Sequence, residues 1–223
     1  MDAISAPLTR QATTSLERII SPLRTATNGR LWSFPIKFID RGGGHFDKIP
    51  CVAWKDFQTR PPTIDVLRCW YNVYGRARGA AIPTGRATRL LVVDADSADA
   101  IEWLELRGMP ATVCVRTRRG LQYWCDYPED WPDIHNSAGE VGLGIDIRAI
   151  GGMVVALGSN YDHEADEGSQ TFTYHFDEGA SPADVPFAPP PTWLLSWFRA
   201  QQEKRQPPLR RHGHIRVRPA LGP

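Results

Sequence analysis

Leu90-Leu91-Val92-Val93-Asp94-Ala95-Asp96 is an aliphatic run that ends in two carboxylates one residue apart, after which the periodicity changes. Such a run reads as a strand, and alternation along a strand puts Asp94 and Asp96 on the same side, about 7 Å apart. Carboxylates that close repel one another, so a strand end that keeps both usually has a divalent cation or another positive charge between them. A plainer reading competes, because Asp96-Ser97 can simply cap the helix that begins there. That helix spans 97–107, with Ile101, Leu104 and either Trp103 or Leu106 facing inward; Gly108 ends it and Pro110 bars its continuation.

Working outward, 79–85 reads as a short strand entering a turn, and its nearness to Leu90 predicts a hairpin with Thr84-Gly85 as the connection. Downstream, 112–117 and 121–125 predict two strands around Arg118-Arg119-Gly120, while 131–144 reads as loop. Residues 144–149 alternate, with Ile145, Ile147 and Ala149 on one face and Asp146 and Arg148 on the other. An apolar strand over 153–157 closes with Gly158-Ser159, and 171–176 gives one more. Upstream, Leu16, Ile19, Ile20 and Leu23 fall at helical spacing, 31–38 alternates as a half-buried strand, and Ile64, Leu67, Trp70, Tyr71 and Tyr74 line a helix face over 63–74. Gly42-Gly43-Gly44 is a hairpin or loop and not a phosphate loop, since no Gly-Lys-Ser/Thr follows and no helix starts there. Proline dominates 181–191, and Thr192 caps a short helix.

The chain has 223 residues, 42% of them hydrophobic, enough for one large α/β domain or two small ones. A formal net charge of +1 advertises no polyanion partner for the whole molecule, so any basic surface is local. No apolar run approaches the roughly 20 residues of a membrane span, and Met1-Asp2-Ala3-Ile4-Ser5 lacks the blocks of a signal peptide, so the expected location is cytoplasmic. Cys51, Cys69, Cys114 and Cys125 have no zinc-site spacing and read as buried free thiols in a reducing compartment. From Glu203 onward Lys204, Arg205, Arg210, Arg211, Arg216 and Arg218 stand among four prolines, a disordered basic linker in which His212 and His214 are solvated.

Asp94 with Asp96, Gln122, and Asp146 with Arg148 all recur at strand ends. A sheet that gathers three carboxylates can hold two Mg²⁺ or Mn²⁺ ions about 3.5 to 4 Å apart for in-line phosphoryl transfer. Hard cations choose oxygen ligands, which is why aspartates are wanted and cysteines are not. The order Lys48-x-Pro50, a Trp soon after, Ile82-Pro83-Thr84-Gly85, Leu91-Val92-Val93-Asp94-Ala95-Asp96, Thr117-Arg118-Arg119-Gly120-Leu121-Gln122-Tyr123-Trp124 and Gly144-Ile145-Asp146-Ile147-Arg148-Ala149-Ile150-Gly151-Gly152 resembles the bifunctional primase-polymerase (prim-pol) domain of the archaeo-eukaryotic primase superfamily. Domains of this kind occur in phage and plasmid replication proteins. The likeness runs from about Gly29 to Phe198.

The resemblance implies an α/β (mixed α+β) fold, an RRM-like catalytic sheet combined with a small N-terminal α/β part. The corresponding division is a helical leader 1–28, a catalytic domain 29–200 and a basic Pro-rich tail 201–223. It makes Asp94, Asp96 and Asp146 the catalytic metal ligands. Gln122 stands where the family has a histidine that contacts the phosphates of the incoming nucleotide. Glutamine can donate a hydrogen bond there but carries no charge, which Arg119, Arg118 or Arg148 can supply in bidentate form. Lys48 matches a basic position near nucleotide or template, and Ser159 matches the serine of a Pro-Pro-Ser-like turn whose prolines are missing. The zinc-binding insertion of some plasmid relatives has no counterpart.

The activity implied is that of a DNA primase/polymerase, which makes primers and extends them on a single-stranded DNA template from NTPs or dNTPs by two-metal nucleotidyl transfer. Two alternatives stand beside it: a catalytically weakened member that binds nucleotides or single-stranded DNA without synthesis, and a metal-dependent nuclease. Arg76, Arg78, Arg86 and Arg89 beside the first aspartate strand, and Arg116, Arg118 and Arg119 beside the next, form a local cluster able to neutralise template and triphosphate. The implied setting is a prokaryotic or phage-infected cell, with a replicative helicase fused through the tail or supplied in trans.

Overall fold

The computed structural model describes residues 13–131, 133–142, 144–166 and 168–205. In chain order its elements begin with α1 (Ser15–Ala26), β1 (Phe34–Asp40), β2 (Phe46–Pro50), α2 (Ile64–Val73), β3 (Gly79–Pro83), β4 (Leu90–Ala95) and α3 (Ala98–Leu106). They continue with β5 (Val113–Arg116), β6 (Leu121–Asp126), β7 (Ser137–Gly142), β8 (Ile145–Arg148), β9 (Met153–Val155), β10 (Asn160–Ala165), β11 (Gly168–Thr173), β12 (His175–Phe176) and α4 (Thr192–Arg205). The chain divides into two compact units, 1–191 and 192–223, and α4 belongs to the second.

Two sheets make up the first unit's framework, a four-stranded one ordered β2-β1-β3-β9 and a six-stranded one ordered β12-β5-β6-β4-β8-β7; β10 and β11 form a separate hairpin. Every named pairing is antiparallel. This mixed α+β architecture is the one the resemblance implies. β4 sits inside the larger sheet with β6 on one side and β8 on the other, and its residues Leu90 to Val93 are fully buried. Alternation sorts them. Leu90 and Val92 join Val113, Val115 and Trp124 in a core shared with Phe34, Ile36, Ala81 and Val155 of the smaller sheet and with Leu16, Ile19, Ile20 and Leu23 of α1. Each fully buried aliphatic of this kind contributes about 1.5–3 kcal/mol. Leu91, Val93 and Ala95 take the opposite face, which lies on the side of α3 with its buried Ala100 and Leu104.

Four sequence expectations are corrected. The 79–85 and 90–95 strands do not form a hairpin: β3 pairs with β1 and β9, and only an isolated bridge, Gly85 to Leu90, links its turn to β4. The 131–144 stretch is not all loop, because β7 forms within it and pairs with β8 across a register shift between Ala138 and Gly142. In α2, Ile64 is 53% exposed while Leu67 and Trp70 carry the buried face; in α3 the choice left open between Trp103 and Leu106 falls to Trp103, which is half-buried where Leu106 is 81% exposed. Of the four thiols expected to be buried, Cys114 and Cys125 are, whereas Cys69 is exposed and Cys51 half-buried.

Candidate functional site

The two readings of Asp96-Ser97 separate at the start of α3. Ser97 Oγ accepts from Ala100 N at 3.2 Å, so the serine caps the helix and the Asp96 side chain is left for other work. Asp94 on β4 and Asp96 just past its end both line a cavity of about 460 Å³ together with Lys48 from β2, Arg118, Arg119 and Gln122 from the β5–β6 hairpin, and Arg148 from β8. Cross-strand register puts Gln122 on β6 and Asp146 on β8 directly opposite Asp94. The sheet therefore carries the row Gln122, Asp94, Asp146 across its middle, with neighbouring side chains about 4.5–5.5 Å apart at Cβ.

Asp94 Oδ1 is out of solvent and accepts no hydrogen bond, which is costly for a carboxylate. Burial first and the neighbouring Asp96 second push its carboxyl up to about 6, against the opposing pull of Arg148, Gln122 and Lys48. Lys48 shows the converse: burial lowers its ammonium, while Asp94 and Asp96 hold the charge in place. A buried, unpartnered oxygen beside a second carboxylate is the donor set that suits a hard divalent cation, so Asp94 and Asp96 fit the metal ions implied by the sequence.

Asp146 is disposed differently. Its Oδ2 accepts from Arg148 Nη2 at 2.6 Å and its Oδ1 from Gly139 N at 2.9 Å, and it does not line the cavity. Among the described residues, no group of three or more His, Cys, Asp or Glu side chains is placed to hold a metal ion. The row is thus assembled by the sheet, while Asp146, the third expected metal ligand, is held by arginine.

Glycine fixes the height of the β5–β6 hairpin over the strand end. A Cβ at Gly120 would lie 1.8 Å from Ala95 O, so only glycine lets the hairpin pass that close to the end of β4. Arg118 reaches from this hairpin to the β1–β2 hairpin, donating Nη2 to Gly44 O at 2.7 Å, and its buried Nε has no partner. Arg119 is exposed at the cavity's edge. Ser159 is not brought to the cavity: fully buried, its Oγ accepts from Ala80 N at 3.0 Å and fastens the segment after β9 to β3.

Most arginines of the expected local cluster are committed elsewhere. Arg78 pairs with Asp162, Arg86 with Asp133, Arg89 with Asp126 and Glu129, and Arg116 with Asp177, so the cavity's cations are Lys48, Arg118, Arg119 and Arg148. Sequence reasoning missed part of the lining: Asn136, Phe46, Tyr161 and Tyr174. Tyr161 stands 4.3 Å from Phe46 between ring centroids, and the two rings form one aromatic wall with Tyr174. The Phe172/Tyr174 alternation was a visible signal for this wall, whereas Asn136 had none.

A family model described as bifunctional DNA primase/polymerase, N-terminal, matches residues 23–193, well over half of the chain. No curated protein matches the chain.

Proposed function

The chain belongs to the bifunctional DNA primase/polymerase N-terminal family, and from that premise we propose that it makes primers and extends them on a single-stranded DNA template by metal-dependent nucleotidyl transfer. The family acts on DNA and nucleotides as a nucleotidyltransferase. What carries the finer reading is the Asp94 Oδ1 without a partner, beside Asp96, in a cavity that also holds four cationic side chains.

Asp94 and Asp96 would hold Mg²⁺ or Mn²⁺, with Asp146 as the third carboxylate of a two-ion set; such ions supply charge stabilisation and activate a hydroxyl for attack on an α-phosphate. This chain's own residues do the rest. Lys48, Arg119 and Arg148 face the cavity with the charge that triphosphate oxygens need. Burial of Asp94 keeps its field strong, because charge in a low-dielectric wall is poorly screened. Residues 201–205, expected to open the basic tail, instead complete α4; the segment from 206 serves as a linker toward a replicative helicase, and residues 206–223, His212 and His214 among them, lie outside the described residues. No helix among the described residues is long and apolar enough to cross a membrane.

The ion pair between Asp146 and Arg148 favours one second reading, a member that binds nucleotides or single-stranded DNA without synthesis. A priming and extension assay on single-stranded template, run with NTPs and dNTPs and with each metal, separates them. Lengthened products are expected. Tight binding of DNA and nucleotide with no product under any combination would establish the binding role, and shortened strands would establish a nuclease.

A further inference from the structure

Gln122 is only 5% exposed, on a sheet face where its neighbours are the fully buried Trp124 and the half-buried Asp94. A buried amide must place both its ends. Trp124 donates its indole Nε1–H to Gln122 Oε1 at 3.3 Å. An indole N–H can only donate, so this contact settles the amide's orientation: the carbonyl faces Trp124 and the NH₂ faces away from it. Asp94 stands directly opposite on β4, on the face from which the amide NH₂ is free to meet it.

We propose that Gln122 is a positioning residue for Asp94: the Trp124 indole orients the amide, and the amide NH₂ steadies the carboxylate so that Oδ1 remains the oxygen without a protein partner. This deepens the proposed function and rests on it for its catalytic meaning, though the relay itself is a matter of the fold. It departs from the sequence expectation that Gln122 contacts the phosphates of the incoming nucleotide. The two roles differ in what they leave behind when the residue is changed. Outer partners of a metal ligand act through metal affinity and turnover, with losses of roughly 10- to 100-fold. A phosphate contact acts through nucleotide binding.

The test uses the full chain and the variants Gln122→Met, Trp124→Phe and the double variant. The readout independent of activity is the side-chain carboxyl ¹³C resonance of Asp94, identified by its absence in D94N. It is expected to shift in both single variants and to shift no further in the double variant, the non-additivity of one connected unit. Q122M is also expected to bind Mn²⁺ at least about tenfold more weakly in an EPR titration and to lower kcat while leaving the nucleotide KM in place.

An Asp94 resonance unmoved by a folded W124F overturns the relay. So does a Q122M protein whose nucleotide KM rises at unchanged Mn²⁺ affinity, which returns Gln122 to the phosphates. Should W124F fail to fold, Q122M decides alone, being close in shape to the native side chain: its Asp94 resonance and Mn²⁺ affinity either move together or the idea falls. Coupled shifts in a protein that makes no primers keep the relay and sink the synthetic reading instead.

Discussion

The β4–β6 ladder carries a carboxylate near each end and treats the two in opposite ways. At one end Asp126, opposite Leu90, receives Arg30 Nη2 on Oδ1 at 2.6 Å and Arg89 Nη2 on Oδ2 at 2.6 Å, so both oxygens are neutralised from within the chain. At the other end Asp94, opposite Gln122, has an oxygen with no partner, a second carboxylate beside it and an acidity weakened to about 6. Both ends belong to the same pair of strands. The difference therefore reflects what surrounds each acid: Asp126 is finished by the fold, and Asp94 is left for something outside it. Charge kept unneutralised in a packed sheet costs stability, and it is the usual signature of a binding or reacting centre.

Five substitutions break or sharpen this contrast. The largest effect belongs to D94A and D96A, each expected to cut primer synthesis by roughly a thousandfold or more, several kcal/mol of lost charge stabilisation. Gel assays of primer synthesis and extension check this, and wild-type rates in either variant would remove the aspartates from the mechanism.

D94N should next make the metal-free protein more stable, although it destroys the site. The folded-state carboxyl of Asp94 is raised above its unfolded value, so the native state binds more protons between about pH 4 and 6 and stability falls as pH rises through that window. Above it the charged, buried Asp94 costs on the order of 3 kcal/mol, which asparagine removes. Urea unfolding of wild type and D94N should then differ at pH 7.5 and converge near pH 4; equal stabilities at both would show that Asp94 bears no such penalty.

At the satisfied end the sign reverses. D126N is expected to lose about 1–2 kcal/mol at neutral pH, because the half-buried Arg30 and the more exposed Arg89 lose their shared partner, while priming activity stays within a few-fold of wild type. The smallest effect is that of S159A, about 1 kcal/mol, since the buried Ala80 N–H is left unpaired whereas Ala80 O still accepts from Ala156 N. A shift in melting temperature reads both; an S159A protein as stable as wild type would deny that this hydroxyl fastens β3.

Periodicity made the centre of the fold legible. The run 90–95, the alternation of 145–148 and the helix from Ser97 rest on local rules, and the structure contains each of them. β7 escaped because Ala138-Gly139-Glu140-Val141-Gly142 offers two glycines and a single β-branched residue, and its pairing is interrupted by the register shift. The hairpin expected from β3 and β4 failed for the opposite reason: adjacency in sequence favoured it, but β3 is buried along its whole length and its partners lie far away on β1 and β9. At the site, alternation alone placed Asp146 and Arg148 on one face. Whether the carboxylate meets an arginine or stays open depends on side-chain geometry that spacing does not encode. The same holds for the arginine cluster, as Arg78 and its partner Asp162 are joined only by the fold.

Gly120 bears on how freely this site can vary. Its neighbours Arg118, Arg119 and Gln122 line the cavity, and changing them alters charge and contacts while the backbone path stays the same. Position 120 has no such latitude, because any side chain there collides with a backbone oxygen of β4 and not with a movable group. In a library randomised across 117–122, selection for the fold alone would return glycine at 120, and selection for activity would act on the residues around it. That one position fixes the frame within which the chemistry of this hairpin can diversify.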